Sequence, residues 1–411
     1  MPEIPEIPET PQPRSALRNL PRNVWILTIV SFLTDISSDM IVNLVPLFLT
    51  QDLGVGKAIV GLIEGIAETT ASLMKVYSGG LSDKLGRRKW LAVFGYGLSA
   101  ISKPFLYFAN GWLGVLAVRF TDRLGKGIRT APKEALLARS VDKDHRGLAF
   151  GVQRAGDTGG AFIGMLIATL IIWLTQTNPN VLSTHTFQIV IIASIIPGLL
   201  AVVVLAFGAK EVTIEGDKKA PVLSLKGLDK RFIAFLLVTI LFTLGNSSDA
   251  FITLLAKDRG LSIIGIMAML LTFNAVYTIL AGPAGALSDK IGRRKLIIVG
   301  WIAYGLIYLG FALSKSATAI WVLYGFYGVY YALTEGAGKA LIADLVPDEK
   351  RGTAYGLYAA AIGITAFPAS AIAGVLWSGI GKWAGFGPSA PFFFGAGLTI
   401  LAGILFWRLV K

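Results

Sequence analysis

The sequence of 411 residues contains no cysteine. That excludes disulfides, iron–sulfur clusters and thiol nucleophiles. Histidine is almost as scarce, with only His145 and His185, both in expected loops, so a histidine-rich metal site or a histidine base has little to build on. HExxH, GxSxG and Walker A patterns are missing as well. The reading is therefore not an enzyme, with no cofactor and no metal. Charge is also sparse, at 15% of residues against about 25% in water-soluble chains.

What the chain has in excess is apolar surface. Hydrophobic residues make up 54%, mean hydropathy is +0.66, and there are 47 glycines, a profile of membrane helices. The formal net charge of +13 fits nucleic acid, anionic lipid, an anionic solute or plain membrane topology. The positions of the charges decide between these.

Residues 1–22 form a Pro-rich tail with the repeat Pro2-Glu3-Ile4-Pro5-Glu6-Ile7-Pro8-Glu9, which can make no core and is expected to be extended and mobile. It lacks the basic start and apolar run of a signal peptide, so the first apolar segment is expected to remain as a helix. From Val24 onward twelve apolar spans follow, each long enough for a hydrocarbon core that takes about 20 helical residues. The first is expected over residues 24–50, the third over 90–109 and the seventh over 232–255. A polar interval, 209–231, separates an N-terminal bundle of six helices (23–208) from a C-terminal bundle of six (232–411). The expected class is thus an all-α integral membrane protein.

The halves repeat. Leu81-Ser82-Asp83-Lys84-Leu85-Gly86-Arg87-Arg88-Lys89 returns as Leu287-Ser288-Asp289-Lys290-Ile291-Gly292-Arg293-Arg294-Lys295, with a single conservative difference. Arg146-Gly147 returns as Arg351-Gly352, and Ser37-Ser38-Asp39 as Ser247-Ser248-Asp249. Two six-helix repeats in one orientation point to a transporter with its solute path between the halves. If both termini lie in the cytoplasm, 24 lysines and arginines fall on that side and five on the other, as the positive-inside rule requires. The excess charge is then a record of topology in the plasma membrane, and no nucleic-acid partner is needed.

Gly79-x-Leu81-Ser82-Asp83-Lys84-x-Gly86-Arg87-Arg88 resembles motif A of the major facilitator superfamily, and Gly285 to Arg294 resembles its second copy. The stretches "TDISSDM", "GLIEGIAE" and "DRLGKGIRTAPKEAL" are similar to a prokaryotic, drug-resistance-like subgroup. The resemblance implies a gating role for Gly79, Asp83, Gly86, Arg87, Arg88, Asp289, Gly292 and Arg293, as a latch that holds the cytoplasmic gate in the outward-open state. In physical terms, Gly86 and Gly292 permit a tight turn and the aspartates can cap helix ends. The alternative is a simple positive stop signal.

Eighteen ionisable residues fall within the spans, nine of each sign. Each costs about 2.5–3.5 kcal/mol at a helix centre on insertion scales, so such groups face partners or water. The fourth span carries Arg119, Asp122, Arg123, Lys126, Arg129 and Lys133 on one face. Arg123-Leu124-Gly125-Lys126-Gly127 resembles motif B, which implies proton coupling and a cavity-facing arginine. Pro132 is expected to weaken the end of that helix. Asp35 and Asp39 share a face of the first span, Glu64 and Glu68 a face of the second, and Arg154 and Asp157 lie on the fifth. Any of these acids could carry a proton or could be permanently paired with the cations. The fifth span has Gly156-Asp157-Thr158-Gly159-Gly160 without the proline of the antiporter motif. In the C-terminal half Glu335 and Lys339 form an i, i+4 pair, and Asn274, Tyr277, Tyr304, Tyr327, Tyr330 and Tyr331 are candidates to line a cavity or to pack. Asn246-Ser247-Ser248 matches a glycosylation sequon inside an expected helix.

The expected function is secondary active transport by alternating access, proton-coupled efflux of a small anionic or zwitterionic solute. The substrate/proton path is expected at Asp35, Asp39, Glu64, Glu68, Arg119, Asp122, Arg123, Lys126, Arg154 and Asp157. A multidrug-type exporter of amphipathic compounds is the alternative, and a channel or a non-transporting sensor are the readings from other classes. The expected partners are the solute, protons and the bilayer around a monomer.

Overall fold

The computed structural model describes residues 20–142, 145–212, 224–347 and 350–410, and only the backbone of Asp83 and Asp289. The side chains of those two expected gating residues, most of the tail and the middle of the 209–231 interval lie outside the described residues. Among the described residues the chain is helical throughout, in twelve segments. These are α1 (Arg22–Asp52), α2 (Lys57–Leu85), α3 (Lys89–Phe108), α4 (Trp112–Arg139), α5 (Arg146–Thr175) and α6 (Thr184–Gly208) in the first half. The second half holds α7 (Lys230–Asp258), α8 (Ile263–Ile291), α9 (Arg293–Leu313), α10 (Ala317–Leu345), α11 (Arg351–Ser378) and α12 (Ala390–Leu409).

Nine of the twelve are long and apolar enough to cross a bilayer by length and composition. The exceptions are α2, α4 and α10. Each carries polar or charged side chains that face protein or cavity rather than lipid, which an average over all faces of a helix cannot separate.

Three segments are not the uninterrupted helices expected from the sequence. The α-helix of α1 stops at Val42, and the segment resumes through Val45–Leu47 into a π-turn at Phe48–Asp52. From Lys103 onward α3 tightens into a 3-10 turn, with Pro104 at its start. In α7 the α-helix Lys230–Gly245 ends and a second, Ala250–Asp258, begins after Asn246-Ser247-Ser248. By contrast, α4 runs unbroken through the buried Pro132. The start of α7 is capped by Asp229, whose carboxylate accepts from the Arg231 backbone N–H at 2.7 Å. Hydrogen bonds from the Arg231 side chain and backbone hold that carboxyl below its usual range.

Both motif loops turn on a left-handed glycine. Gly86 has φ +63° and its N–H bonds the Ser82 carbonyl at 3.1 Å. Gly292 has φ +93°. The expected tight turns are there, and only glycine adopts them without strain. Gly79 sits about two turns before Gly86, where a Cβ would touch Ala131 of α4. Arg88 is buried, and its N–H and that of Lys89 both donate to the Glu211 carboxylate, at 3.0 and 3.1 Å. A carboxylate from beyond α6 thereby caps the positive end of α3. In the second copy Arg293 pairs with Asp344 and donates to the Ala340 carbonyl at 3.1 Å, fastening this loop to α10.

Within each half the helices pack on their neighbours; between halves the chief contacts are α2 on α11 and α5 on α8. The α2–α11 seam is made by glycine. A Cβ on Gly65 would lie 2.9 Å from the Phe367 backbone, one on Gly61 would collide with the Ser370 carbonyl, and one on Gly374 would lie 2.6 Å from the Lys57 carbonyl. Thr69 donates to the Gly363 carbonyl at 2.6 Å and Ala58 N–H to Ser378 Oγ at 3.0 Å. All of this lies away from the end that carries the motif loops. Near the motif end a Cβ on Gly147, Gly151, Gly282, Gly285 or Gly352 would meet none of the described residues within 4 Å. Among the described residues the close backbone contacts between the halves lie at the end away from the motif loops.

Candidate functional site

Between the halves lies a cavity of about 580 Å³, and its two walls differ in kind. Asp39, Glu64, Glu68 and Arg123 come from α1, α2 and α4 of the first half. The second half supplies Phe242, Phe273, Trp301, Tyr330 and Tyr331, with Asn246, Asn274, Asp249 and Glu335 among them.

On the charged wall most of the expected path residues are paired. Arg119 bonds Glu64 at 2.7 Å with both side chains nearly sealed, at 4% and 6% exposure. Arg123 lies 3.3 Å from Glu68, which reaches further into the open. Even so, Glu64 Oε1 and the Nε atoms of Arg119 and Arg123 are buried without hydrogen-bond partners. The N-terminal wall is neutralised in charge yet incompletely satisfied in hydrogen bonding, which low dielectric makes costly.

Behind this wall a smaller chamber of about 110 Å³ is lined by Asp35, Asp39, Lys103, Arg119, Asp122, Arg123, Lys126 and Arg129. That is large enough for several waters, since one needs roughly 10–15 Å³ on this measure. Asp122 accepts from Ser99. Arg129 stacks on the Tyr96 ring, 4.4 Å from its centroid. The structure thus brings together Asp35, Asp39, Glu64, Glu68, Arg119, Asp122, Arg123 and Lys126, the last four from one face of α4 at steps of three and four residues. Asp35, Asp39 and Lys126 have no ion-pair partner within 4 Å among the described residues.

Arg154 and Asp157 lie elsewhere. Asp157 accepts from Gln153 at 2.7 Å and sits 3.9 Å from Lys133. Arg154 crosses to the second half, donating to Tyr277 Oη at 2.7 Å and lying 3.4 Å from Glu335. Tyr277 donates to the same carboxylate at 2.5 Å, and Lys339 also pairs with it, at 3.1 Å. The Glu335–Lys339 pair is therefore part of a four-residue cluster that bridges the halves.

Lys103 and Asp249, two of the eighteen ionisable residues within the spans, fall outside the expected path. Lys103, 5% exposed, donates to Ser37 Oγ at 2.8 Å and Ser38 Oγ at 2.9 Å. It stands alone on its helix, so no periodic pattern marked it. Asp249, placed within a helix, in fact ends the break in α7 and accepts from Tyr327 at 3.0 Å. The succession Gly245-Asn246-Ser247-Ser248-Asp249, all turn formers, was the available signal.

The whole architecture is shared with known proteins. The profile of the Major Facilitator Superfamily matches residues 27–271 and 232–411. The chain belongs to this superfamily. It is 36% identical to an uncharacterised MFS-type transporter of Methanocaldococcus jannaschii, over 94% of this chain and 95% of the relative. It is 25% identical to a multi-drug resistance efflux pump of Streptococcus pneumoniae, covering 80% and 82%. Among solved structures, a nucleoside transporter superposes with a TM-score of 0.77 at 14% identity, covering 95% of this chain and all of that one. A D-xylose–proton symporter gives 0.73 at 17%, covering 95% and 98%. This superfamily member is a multi-pass membrane transporter with two bundles of six helices.

Proposed function

We propose that this transporter works by alternating access and exports a small amphipathic solute that carries a positive group, zwitterions included, in exchange for protons. The observation that carries the reading is the two-faced cavity. Its aromatic wall suits an apolar body, and Asp39 and Asp249 offer it two carboxylates without ion-pair partners among the described residues. Of the expected anionic or zwitterionic solute, the anionic form finds less support, because Arg119 and Arg123 already hold carboxylates and Lys103, Lys126 and Arg129 line the inner chamber. The efflux direction leans on the multi-drug pump of Streptococcus pneumoniae.

With both termini in the cytoplasm, as the loop charges favour, the motif end is the cytoplasmic end. The contacts at the far end then correspond to an inward-open form. Asp39 borders both the cavity and the inner chamber. It is the group through which proton and solute compete, since a carboxylate that meets a cationic solute must give up its proton.

The test is flux in proteoliposomes under an imposed pH gradient, with an amphipathic cation, a zwitterion and an organic anion compared side by side. The cation or zwitterion is expected to move with the gradient. Asp39→Asn is expected to reduce gradient-driven flux by at least about tenfold, 1.4 kcal/mol, while solute–solute exchange continues. Movement of the anion alone, or flux indifferent to the gradient, overturns the proposal.

A further inference from the structure

The repeated Ser-Ser-Asp stretch is built differently in the two halves, and the difference points to a ligand. In α1, Ser37, Ser38 and Asp39 lie inside an intact helix, and the Lys103 ammonium is seated on both serine hydroxyls. Asp35, Asp39 and Asp122 line the same chamber. This copy therefore holds a monovalent cation in a nest of oxygen atoms, and the cation is tethered to the protein.

The second copy has the oxygens without the tether. On α9, the counterpart of α3, the position beside Ser247 is taken by the phenol of Tyr308, 1% exposed. Asp249 has no lysine or arginine within 4 Å among the described residues. The backbone adds acceptors here. Ser248 N–H turns to Ser370 Oγ at 3.2 Å and Ala250 N–H to Ser248 Oγ at 3.3 Å, so the carbonyls of Leu244 and Asn246 lose their helical partners. Tyr327 Oη reaches Asp249 Oδ1 at 3.0 Å and Asn246 Oδ1 at 3.4 Å, which brings those two oxygens to one spot on the cavity wall. Carbonyl ends of a broken membrane helix together with a carboxylate make a hard-oxygen set for a small cation.

We propose that the break in α7 is a monovalent-cation site, built on Asp249 and Asn246, that takes Na⁺ or the primary ammonium head of a solute. In the first half Lys103 occupies the equivalent seat permanently. The site does not depend on the direction of transport or on proton coupling, and its occupancy can be read without any flux.

Thermal unfolding of the purified full-length protein in detergent tests it, with sodium, methylammonium and choline chlorides titrated at constant ionic strength. A cation that binds only the folded form raises Tm saturably. Sodium or methylammonium is expected to do so and choline not; which of the two acts identifies the source of the charge. Asp249→Asn is expected to abolish the shift, and Asn246→Ala to move its midpoint about tenfold upward. Lys103→Met, which frees the first seat, is expected to add a second saturable sodium phase. No shift with either small cation, or a shift unchanged in both Asp249→Asn and Asn246→Ala, overturns the proposal. Should Asp249→Asn fail to fold, Asn246→Ala and Lys103→Met decide the matter between them.

Discussion

In the N-terminal half buried charge is held by charge: Arg119 by Glu64, Arg123 by Glu68, Lys133 beside Asp157. In the C-terminal half the corresponding face, Glu335 with its pairs to Lys339 and Arg154 apart, is held by rings and neutral donors. Tyr304 stacks on Tyr308 with centroids 4.1 Å apart, Phe242 on Trp301 at 4.6 Å, and Asp249 is met by a phenol. The two halves therefore share a motif loop and a helix order but not a chemistry. The repeat keeps the loops that turn the chain, while the walls facing the cavity differ. An ionic wall is rigid in geometry and intolerant of a missing partner; an aromatic wall bends to shape and tolerates small losses.

That contrast can be broken at its strongest point first. Glu64→Gln leaves the sealed Arg119 guanidinium without its counter-charge, a loss of about 3–5 kcal/mol, visible as a lowered midpoint in denaturant unfolding. Replacing both partners, Glu64→Gln with Arg119→Gln, should recover most of it. If the single variant unfolds like the parent, the ionic wall is not what holds this half.

The seam between the halves comes next. Gly61→Val drives a side chain into the Ser370 carbonyl and the Phe251 ring, an overpacking expected to cost about 1–3 kcal/mol and to slow flux. Unchanged thermal stability and flux would show that the seam is looser than its glycines imply. On the aromatic wall, Tyr327→Phe keeps the ring and removes one hydrogen bond to Asp249, about 1.5 kcal/mol for a charged acceptor. A loss as large as that of Glu64→Gln would erase the distinction between the walls. Arg154→Gln should matter least to stability, below about 1 kcal/mol, because Arg154 is more than half exposed. Its effect is expected in the flux rate, since it ties the first half to Glu335 of the second.

Much of this was legible in the sequence, and the reason lies in periodicity and repetition. The α4 stripe was readable because one helix carries all its members at steps of three or four, and the motif loops because they are written twice. Lys103 was not legible, since its partners Ser37 and Ser38 belong to another helix and nothing local links them. The break in α7 was hidden by averaging: Leu244 and Phe251 on either side keep the apolar run going, although the residues between them are turn formers. The walls of the cavity were half legible. Tyr330, Tyr331 and Asn274 line it, whereas Tyr304 and Tyr327 are buried behind.

The glycine seam between α2 and α11 has a bearing on how the far end could open. A joint closed by leucines would expose, on parting, the apolar area that each side chain had hidden, at roughly 25 cal/mol for every Å². Gly61, Gly65 and Gly363 have no side chain to expose. At the glycine positions the backbones meet through shape and short contacts, so what parting wets there is chiefly the Phe251 and Phe367 rings that lie against Gly61 and Gly65. The seam behaves as a door sealed from one side: tight when shut because the glycine surface is flat, and less costly to open than a joint greasy on both faces.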